Sequence, residues 1–510
     1  MTKRLNTLLA NLAAFLLGIS LALAFAPFEI FPLAMIAPAG LLALVSNATP
    51  RRAGWLGFSF GIGLFSAGVY WVFISIHEFG DVPNAVAAFI TIGLIAILAL
   101  FPTMVCYLTN RYFPLNNTSK CLFAFPAIWL ISEWFRSWVG CGFPWLFVGY
   151  SQTNSPLKGY APILSVYGVS LAVLVSSGLI VNAVIKFRQK DFRSLYFNLF
   201  GLMAIWVIGS LLSLIPWTSS IGKPLNVSLV QGNIPQSLKW SPEHIDLSFQ
   251  QYTQLTQPLW GKTDIVIWPE AAIPMSLQDS TEFIETMDEK ARSDHTHLIL
   301  GIPIHNPKGE GYYNAVVTLG TNKTTYLKRR LVPYGEYVPL HALSSRVLNY
   351  MNIPMADTLS GTPNQPPLLI GNVKINTSIC FEIAFPELIH IRDKAIGVLL
   401  TVTNDAWFGH STAQAQHLQM AEMRAIELGR PVLFVSNDGI TAIIGPHGKI
   451  DAQAPTHVPF VLKGTVQPMF GLTPWMTNGM DPLLVILFCF LFIAYKQREN
   501  NGRTIQPARS

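Results

Sequence analysis

The chain is predicted to be a multispan α-helical membrane protein that carries a large layered α/β domain on one side of the bilayer. Three observations predict this. Only 12% of the 510 residues are charged and 51% are hydrophobic, whereas a soluble domain carries about 25% charged side chains. The charge is uneven, with Glu29 the single charged residue between positions 5 and 50. From about residue 222 to 470, charge density and periodicity become those of a water-facing protein. These features exclude a disordered chain, a fibrous protein and an ordinary cytosolic enzyme. The net charge of +6 comes from basic residues in short loops without interleaved aromatics. It therefore indicates membrane flanks and no nucleic-acid partner.

A span needs about 20 mostly apolar residues. Seven candidates precede residue 218, at about 6–25, 30–46, 53–75, 85–108, 120–135, 161–186 and 195–215; an eighth lies at about 481–495. The second and fifth are short. The first resembles a signal peptide, but it lacks a convincing cleavage site and further spans follow directly. Basic residues set the orientation. Lys3 and Arg4, Arg51 and Arg52, Arg111 and Lys120, the group Lys186, Arg188, Lys190 and Arg193, and the cluster Lys496, Arg498 and Arg503 share one side if eight spans are crossed. The loops near 26–29 and 76–84 contain no Lys or Arg. Both termini are expected in the cytoplasm and the 222–470 block on the opposite side, which in a bacterium is the periplasm. The expected domains are a seven-helix transmembrane domain over 1–217, a water-facing domain over 218–472, and a final span with a cytoplasmic tail over 473–510. Glu133 and Arg136 sit at the end of the fifth span. They read either as an interfacial ion pair or as part of a polar entrance.

In the water-facing block, strand-like runs occur at Leu225–Val230, Asp264–Trp268, His297–Ile304, Tyr313–Leu319, Leu368–Cys380, Gly397–Thr403, Val432–Ser436, Ile440–Gly445 and Pro459–Thr465. Amphipathic helices are expected at about 242–259, 281–293 and 412–428. Ser280 ahead of Glu282 and Glu285 reads as a capped helix start, and Gly445-Pro446-His447-Gly448 as a hairpin turn. Strands alternating with helices, plus hairpins, give a layered α/β domain. The proline-containing segment 339–367 has no period and reads as a long loop, of the kind that often forms a lid.

Of the five cysteines, only Cys380 lies in this block, so the block has no internal disulfide. Taken alone, Cys380 reads as packing. Three segments change that reading. In DIVIWPEAAIP (264–274) an apolar strand ends just before Glu270. In YLKRRLVPYGEYVP (326–339) Lys328 stands eight residues before Glu336. In INTSICFEIAFPE (375–387) a strand ends at Cys380, with Glu382 two residues on. Each places an ionisable group at a strand end, where open α/β sheets build sites. A thiolate is a strong nucleophile once a base or cation stands nearby.

In this order, at separations of 58 and 52 residues, Glu270, Lys328 and Cys380 resemble the Glu-Lys-Cys triad of the nitrilase superfamily. With seven spans before the domain and one after it, the whole chain is similar to the membrane-embedded apolipoprotein N-acyltransferase family. VQGNIPQSLKW (230–240), TVTNDAWFG (401–409), HLQMAEMRAIELGRP (417–431) and NDGITAIIGPHG (437–448) extend the resemblance. It implies an αββα sandwich for the water-facing domain and a bacterial inner-membrane location. It also implies two-step acyl transfer. A phospholipid, typically phosphatidylethanolamine, acylates Cys380 as a thioester, and the α-amino group of a diacylglyceryl-cysteine on an apolipoprotein then takes the acyl chain. Glu270 would be the general base and acid. Lys328 would stabilise the oxyanion, with the backbone N–H after Cys380. Glu336 and Glu382 would support them.

Trp240, Tyr334, Phe381 and Trp407 are candidate substrate-binding residues. Taken alone, Trp240, Tyr334, Trp407 and also Phe408 read rather as aromatic core or interfacial anchors. His417 reads as a packed or hydrogen-bonded residue. No cluster has metal spacing and no glycine-rich phosphate loop follows a strand, so no metal and no cofactor are expected. A monomer is expected. Two rivals use the same residues differently: a membrane-tethered amidase or nitrilase, and a transporter with a degenerate nitrilase-like domain. The many spans argue against a simple tether. The scarcity of central charges and the intact triad argue against a transporter.

Overall fold

The computed structural model describes residues 2–114, 118–337 and 357–503. Residues 339–356 of the predicted lid lie outside the described residues. The chain divides into two compact units. One comprises the residues up to Tyr70, Ala88–Ile215 and those from Asn478 onward; the other comprises Trp71–Ala87 and Pro216–Thr477.

The first unit is helical. Its apolar helices lack the alternating polar face of a soluble bundle, and their outward side chains are large hydrophobics such as Phe89, Phe197 and Phe488. That is the surface expected against lipid. Helices Thr2–Ala22 and Pro50–Gly68 meet through Gly18 and Gly63: a Cβ on either would overlap the Phe60 or Phe15 carbonyl of the facing helix. Small residues at such contacts let two backbones approach. Among the described residues four helices are long and apolar enough to cross a membrane, or five if the pair Pro50–Gly68 and Trp71–Glu78, bent by 54°, is one span. The predicted count of eight is not reached by this measure. Leu33–Val45 has only 13 residues. The segment expected at 120–135 splits into a π-turn, Lys120–Ala124, and a 14-residue helix, Phe125–Trp138. The last helix, Asp481–Arg503, carries charges at both ends.

Among its described residues the second unit contains fourteen strands. These are β1 (Thr218–Ser220), β2 (Leu225–Gln231), β3 (Ile265–Ile267), β4 (His297–His305), β5 (Tyr312–Leu319), β6 (Thr325–Leu327), β7 (Leu368–Ile370), β8 (Val373–Ile379), β9 (Ile396–Thr403), β10 (Val432–Ser436), β11 (Ala442–Ile444), β12 (Ile450–Gln453), β13 (Phe460–Val466) and β14 (Met469–Gly471). Two six-stranded sheets run β13-β2-β3-β4-β5-β6 and β7-β8-β9-β10-β11-β12. Read in these orders, both have the same sequence of joins: antiparallel, parallel, parallel, antiparallel, antiparallel. The short pair β1 and β14 stands apart.

Alternation along the strands sends one set of side chains between the sheets. Leu229, Ile267, Ile299, Ile379, Leu400 and Val435 belong to this single core, and all are fully buried. Each such side chain contributes about 1.5–3 kcal/mol on burial. The opposite face of the first sheet, with Val266, Trp268 and Leu300, is covered by Ile284 and Met287 of helix Thr281–Ser293 and by Tyr252 of helix Ile245–Thr256. Helix Ala413–Leu428 packs on β10 and is buried along its whole length.

Two sequence expectations change. The run 368–380 is two antiparallel strands, because Gly371 takes a left-handed φ of 55° and turns the chain. Ser280 precedes its helix but does not cap it; its Oγ donates backward to the Ser276 carbonyl at 2.6 Å.

Candidate active site

β3 delivers Glu270. Its side chains are buried on both faces, and the chain leaves it through Trp268, which donates from Nε1 to Thr256 Oγ1 at 2.9 Å. Pro269 then turns the backbone. The neighbouring β4 has Gly301 at this point. A Cβ there would lie 2.7 Å from Glu270 Cα and 2.7 Å from Ala271 N, so only glycine admits the Glu270 backbone this close.

Glu270 is 8% exposed. Its Oε1 accepts from Asn314 Nδ2 at 2.7 Å and from Lys328 Nζ at 3.1 Å. Lys328 leaves β6 and is buried. It donates a second bond to Glu336 Oε1 at 2.8 Å. Glu336 Oε1 also accepts from Asn314 Nδ2 at 3.2 Å, and its Oε2 accepts the Val332 N–H at 2.8 Å. Burial alone would drive the Lys328 ammonium toward neutrality. The carboxylates of Glu270 and Glu336 outweigh that, and its pKa stands well above the ordinary value. The ammonium is therefore a fixed positive charge. The Gly361 N–H donates to the Lys328 carbonyl at 2.7 Å, which ties the described end of the 357–367 loop to this residue.

Cys380 follows β8 with a left-handed φ of 53°. A non-glycine residue held there stores strain of the kind found at functional turns. The residue keeps some accessible surface, but its thiol is desolvated. Desolvation raises the thiol pKa, and the Glu270 carboxylate raises it further; Lys328 opposes both and does not win. The resting group is thus a thiol under the influence of both Glu270 and Lys328.

Glu382 lies behind this turn and is fully buried. Its Oε1 accepts the Arg329 and Arg330 N–H groups at 2.7 and 3.0 Å. Its Oε2 accepts the Ile379 N–H and the Tyr326 hydroxyl, each at 2.8 Å. The carboxylate clasps the Lys328 segment to the Cys380 turn and does not contact the Lys328–Glu270 cluster through a hydrogen bond.

Three further residues, Asn314, Lys239 and Asp405, escaped sequence reasoning. Asn314 on β5 bridges the two carboxylates, yet reads in sequence as an ordinary strand polar residue. Buried Lys239 donates to the Glu270 carbonyl at 3.1 Å. Asp405 and His417 form a buried pair at 3.0 Å, and His417 Nε2 lies 3.1 Å from the Cys380 carbonyl. Only the hydrogen-bonded reading of His417 was legible.

The aromatic candidates scatter. Tyr334 is 46% exposed and has a left-handed φ of 60°. Trp240 is half-buried beside Lys239, and its buried Nε1 has no partner among the described residues. Phe381 packs edge-on to Phe385 at 4.9 Å. Trp407 stacks edge-on to Phe79 at 5.9 Å, and its carbonyl accepts from Ser75 Oγ at 2.7 Å. Phe408 meets Trp71 at 4.8 Å. In the helical unit, Glu133 accepts the Val148 N–H at 2.8 Å. Arg136 donates to the Trp145 carbonyl at 2.6 Å and stands over Phe65 and Phe147. Both are buried with partners of their own and form no mutual ion pair among the described contacts. No group of three His, Cys, Asp or Glu side chains among the described residues could hold a metal ion.

Residues 17–179 match the family model of the apolipoprotein N-acyltransferase N-terminal domain, and residues 226–470 match that of carbon-nitrogen hydrolases. A protein of Coxiella burnetii named apolipoprotein N-acyltransferase is 39% identical over 494 residues, covering 96% of this chain and 100% of its own. The chain belongs to the apolipoprotein N-acyltransferase family. A second member of that family, from Azotobacter vinelandii, is 40% identical over 98% of this chain and 97% of its own. The two six-stranded sheets are therefore the family's carbon-nitrogen hydrolase domain, and Glu270, Lys328 and Cys380 all fall inside its matched range. A solved carbon-nitrogen hydrolase superfamily protein of Xanthomonas campestris is similar at 17% identity and a TM-score of 0.38, over 52% of this chain and 97% of its own.

Proposed function

We propose that this protein is a bacterial membrane enzyme that transfers an acyl chain from a phospholipid to the α-amino group of the diacylglyceryl-cysteine of an apolipoprotein. The acyl chain passes through a thioester on Cys380. The observation that carries the reading is the buried contact of Lys328 with Glu270 and Glu336, 3.1 and 2.8 Å, beside the only cysteine of the domain.

In the first step Glu270 takes the Cys380 proton as sulfur attacks the ester carbonyl of the phospholipid's sn-1 chain. The tetrahedral oxyanion is stabilised by the Lys328 ammonium and the Phe381 N–H. Collapse breaks the ester C–O bond, and Glu270 returns its proton to the departing lysophospholipid. In the second step the lipoprotein amine attacks the thioester carbonyl and loses its proton to Glu270. The C–S bond breaks, and the proton goes back to sulfur. Phosphatidylethanolamine is the proposed donor. Asn314 and Glu336 hold Glu270 and Lys328 in register, and Glu382 holds the turn that bears the nucleophile.

The lipid nature of both reactants supports an inner-membrane, multi-pass protein with its carbon-nitrogen hydrolase domain in the periplasm, where donor and acceptor share the outer leaflet. The five basic clusters on alternate loops support cytoplasmic termini. The domain limits proposed are 1–217, 218–472 and 473–510, and the working unit is a monomer.

The acceptor tests the proposal. Purified protein with phosphatidylethanolamine and a diacylated lipopeptide should add one acyl group to a free N-terminus and none to an N-acetylated one, as read by mass spectrometry. Release of free fatty acid at one rate with or without peptide would instead identify a hydrolase.

A further inference from the structure

His417 and Asp405 are both fully buried, and the acyl-transfer steps above use neither. His417 Nδ1 lies 3.0 Å from Asp405 Oδ1, and Nε2 lies 3.1 Å from the Cys380 carbonyl oxygen. The same Asp405 oxygen accepts from Thr403 Oγ1 at 2.7 Å. The Asp405 backbone is fixed too, since its N–H donates to Ser436 Oγ at 3.2 Å. The ring itself is held between Phe434 at 5.2 Å and Phe408 at 6.0 Å. Both ring nitrogens thus face oxygens, in a place too well packed for the ring to turn.

The Cys380 carbonyl belongs to the peptide whose other end is the Phe381 N–H. Among the described residues the one cis peptide is elsewhere, at Ala26-Pro27. In a trans peptide the C=O and N–H point to opposite sides of a rigid plane. Holding the carbonyl against His417 therefore aims the Phe381 N–H away from the helix that bears His417. Among the described residues no acceptor meets that N–H. It is a donor with a fixed direction and an open end, at a strained residue with φ 53°. A hydrogen bond to the carbonyl also polarises the amide and makes its N–H a stronger donor.

We infer that His417, held by Asp405, is a positioning residue that orients and strengthens the Phe381 N–H as an oxyanion donor. This rests on the reading of Cys380 as nucleophile. His417 meets the Cys380 backbone carbonyl rather than acting as the nucleophile or its base. It acts through one peptide plane, and it supplies a preorganised dipole to both tetrahedral intermediates. Nε2–H donates to the carbonyl, while Asp405 fixes the ring through Nδ1.

The test uses the full-length protein and phosphatidylethanolamine with a ¹³C-labelled sn-1 carbonyl, without acceptor. Two quantities are read: the rate of Cys380 acylation per folded molecule as a function of donor concentration, and the infrared stretch of the labelled thioester carbonyl. His417→Ala should slow acylation about 10²-fold, the usual cost of an oxyanion donor, at unchanged apparent KM, and should raise the carbonyl frequency. His417→Gln keeps an N–H donor and should recover part of both effects. Asp405→Asn, which preserves shape if the alanine variant folds poorly, should fall between wild type and His417→Ala. Unchanged rate, or a slower rate with an unchanged stretch, assigns His417 to the fold alone and overturns the inference. Absence of any adduct in the unaltered protein removes the nucleophile reading first, and the inference with it; an adduct formed equally fast by all variants removes only the role of His417.

Discussion

Asn314 donates to Glu270 at 2.7 Å through the same amide nitrogen that reaches Glu336 at 3.2 Å. Two buried carboxylates are thus kept on one lysine by a neutral side chain from the middle of a strand. Asn314→Leu should preserve the fold of β5 but free Glu270 to rotate. We expect acyl transfer to fall about 10- to 10²-fold, the penalty for losing the geometry of a general base. Transfer kinetics at matched folded fraction check it; a normal rate would leave Asn314 with a packing role only.

Glu270→Gln and Lys328→Met should each reduce transfer by about 10²–10⁴-fold. The two should move the cysteine in opposite directions. Desolvation and Glu270 raise the Cys380 thiol while Lys328 lowers it. Alkylation by iodoacetamide should be slow at neutral pH and remain slower than that of an ordinary exposed thiol through the alkaline range. At fixed pH, Glu270→Gln should accelerate it and Lys328→Met should retard it. Equal alkylation profiles in all three proteins would mean that neither charge acts on the sulfur.

Lys239 supplies a test by linkage. Burial lowers its pKa to about 8 from an ordinary 10.5, with the Glu270 carboxylate opposing the shift. Between these values the unfolded chain holds one proton more than the folded one, so stability rises with pH through the window. The contribution is about 3 kcal/mol. Denaturation measured at pH 7.5 and pH 10.5 should show the rise in wild type and lose it in Lys239→Met. Parallel curves would place Lys239 in contact with solvent.

Glu382 should report on the turn more than on the chemistry. Its carboxylate meets three backbone N–H groups and one hydroxyl. Removing it leaves buried donors unsatisfied, each at about 1–3 kcal/mol. Glu382→Ala should therefore unfold the domain at a lower temperature and lose activity in the same proportion. Activity lost at an unchanged melting temperature would contradict this structural role.

What could be read in the sequence follows from period and chemistry. Glu270 and Cys380 stood out because each closes a strand-like run, whereas Lys328 stood out only by its order and spacing with them. β6 and β12 were missed because three or four residues carry no measurable period. The turn at Gly371 was hidden inside a run read as one strand, although Gly-Asn is a hairpin signal. Asn314 on β5, Lys239 on the short helix Gln236–Lys239 and Asp405 on the turn after β9 reach the site only through the tertiary fold, which a linear pattern does not encode. Hydropathy is blind to geometry in one span: Trp71–Glu78 continues the apolar run of Pro50–Gly68, yet it bends by 54° and groups with the α/β unit.

The central claim is that Cys380 carries the acyl chain. The direct measurement is the intact mass of the purified protein after incubation with phosphatidylethanolamine and no acceptor. The account predicts a gain of one acyl group, mapped to the Cys380 peptide, released by neutral hydroxylamine, and discharged onto a diacylated lipopeptide with a free N-terminus. No mass gain, together with full transfer activity in Cys380→Ala, would contradict it.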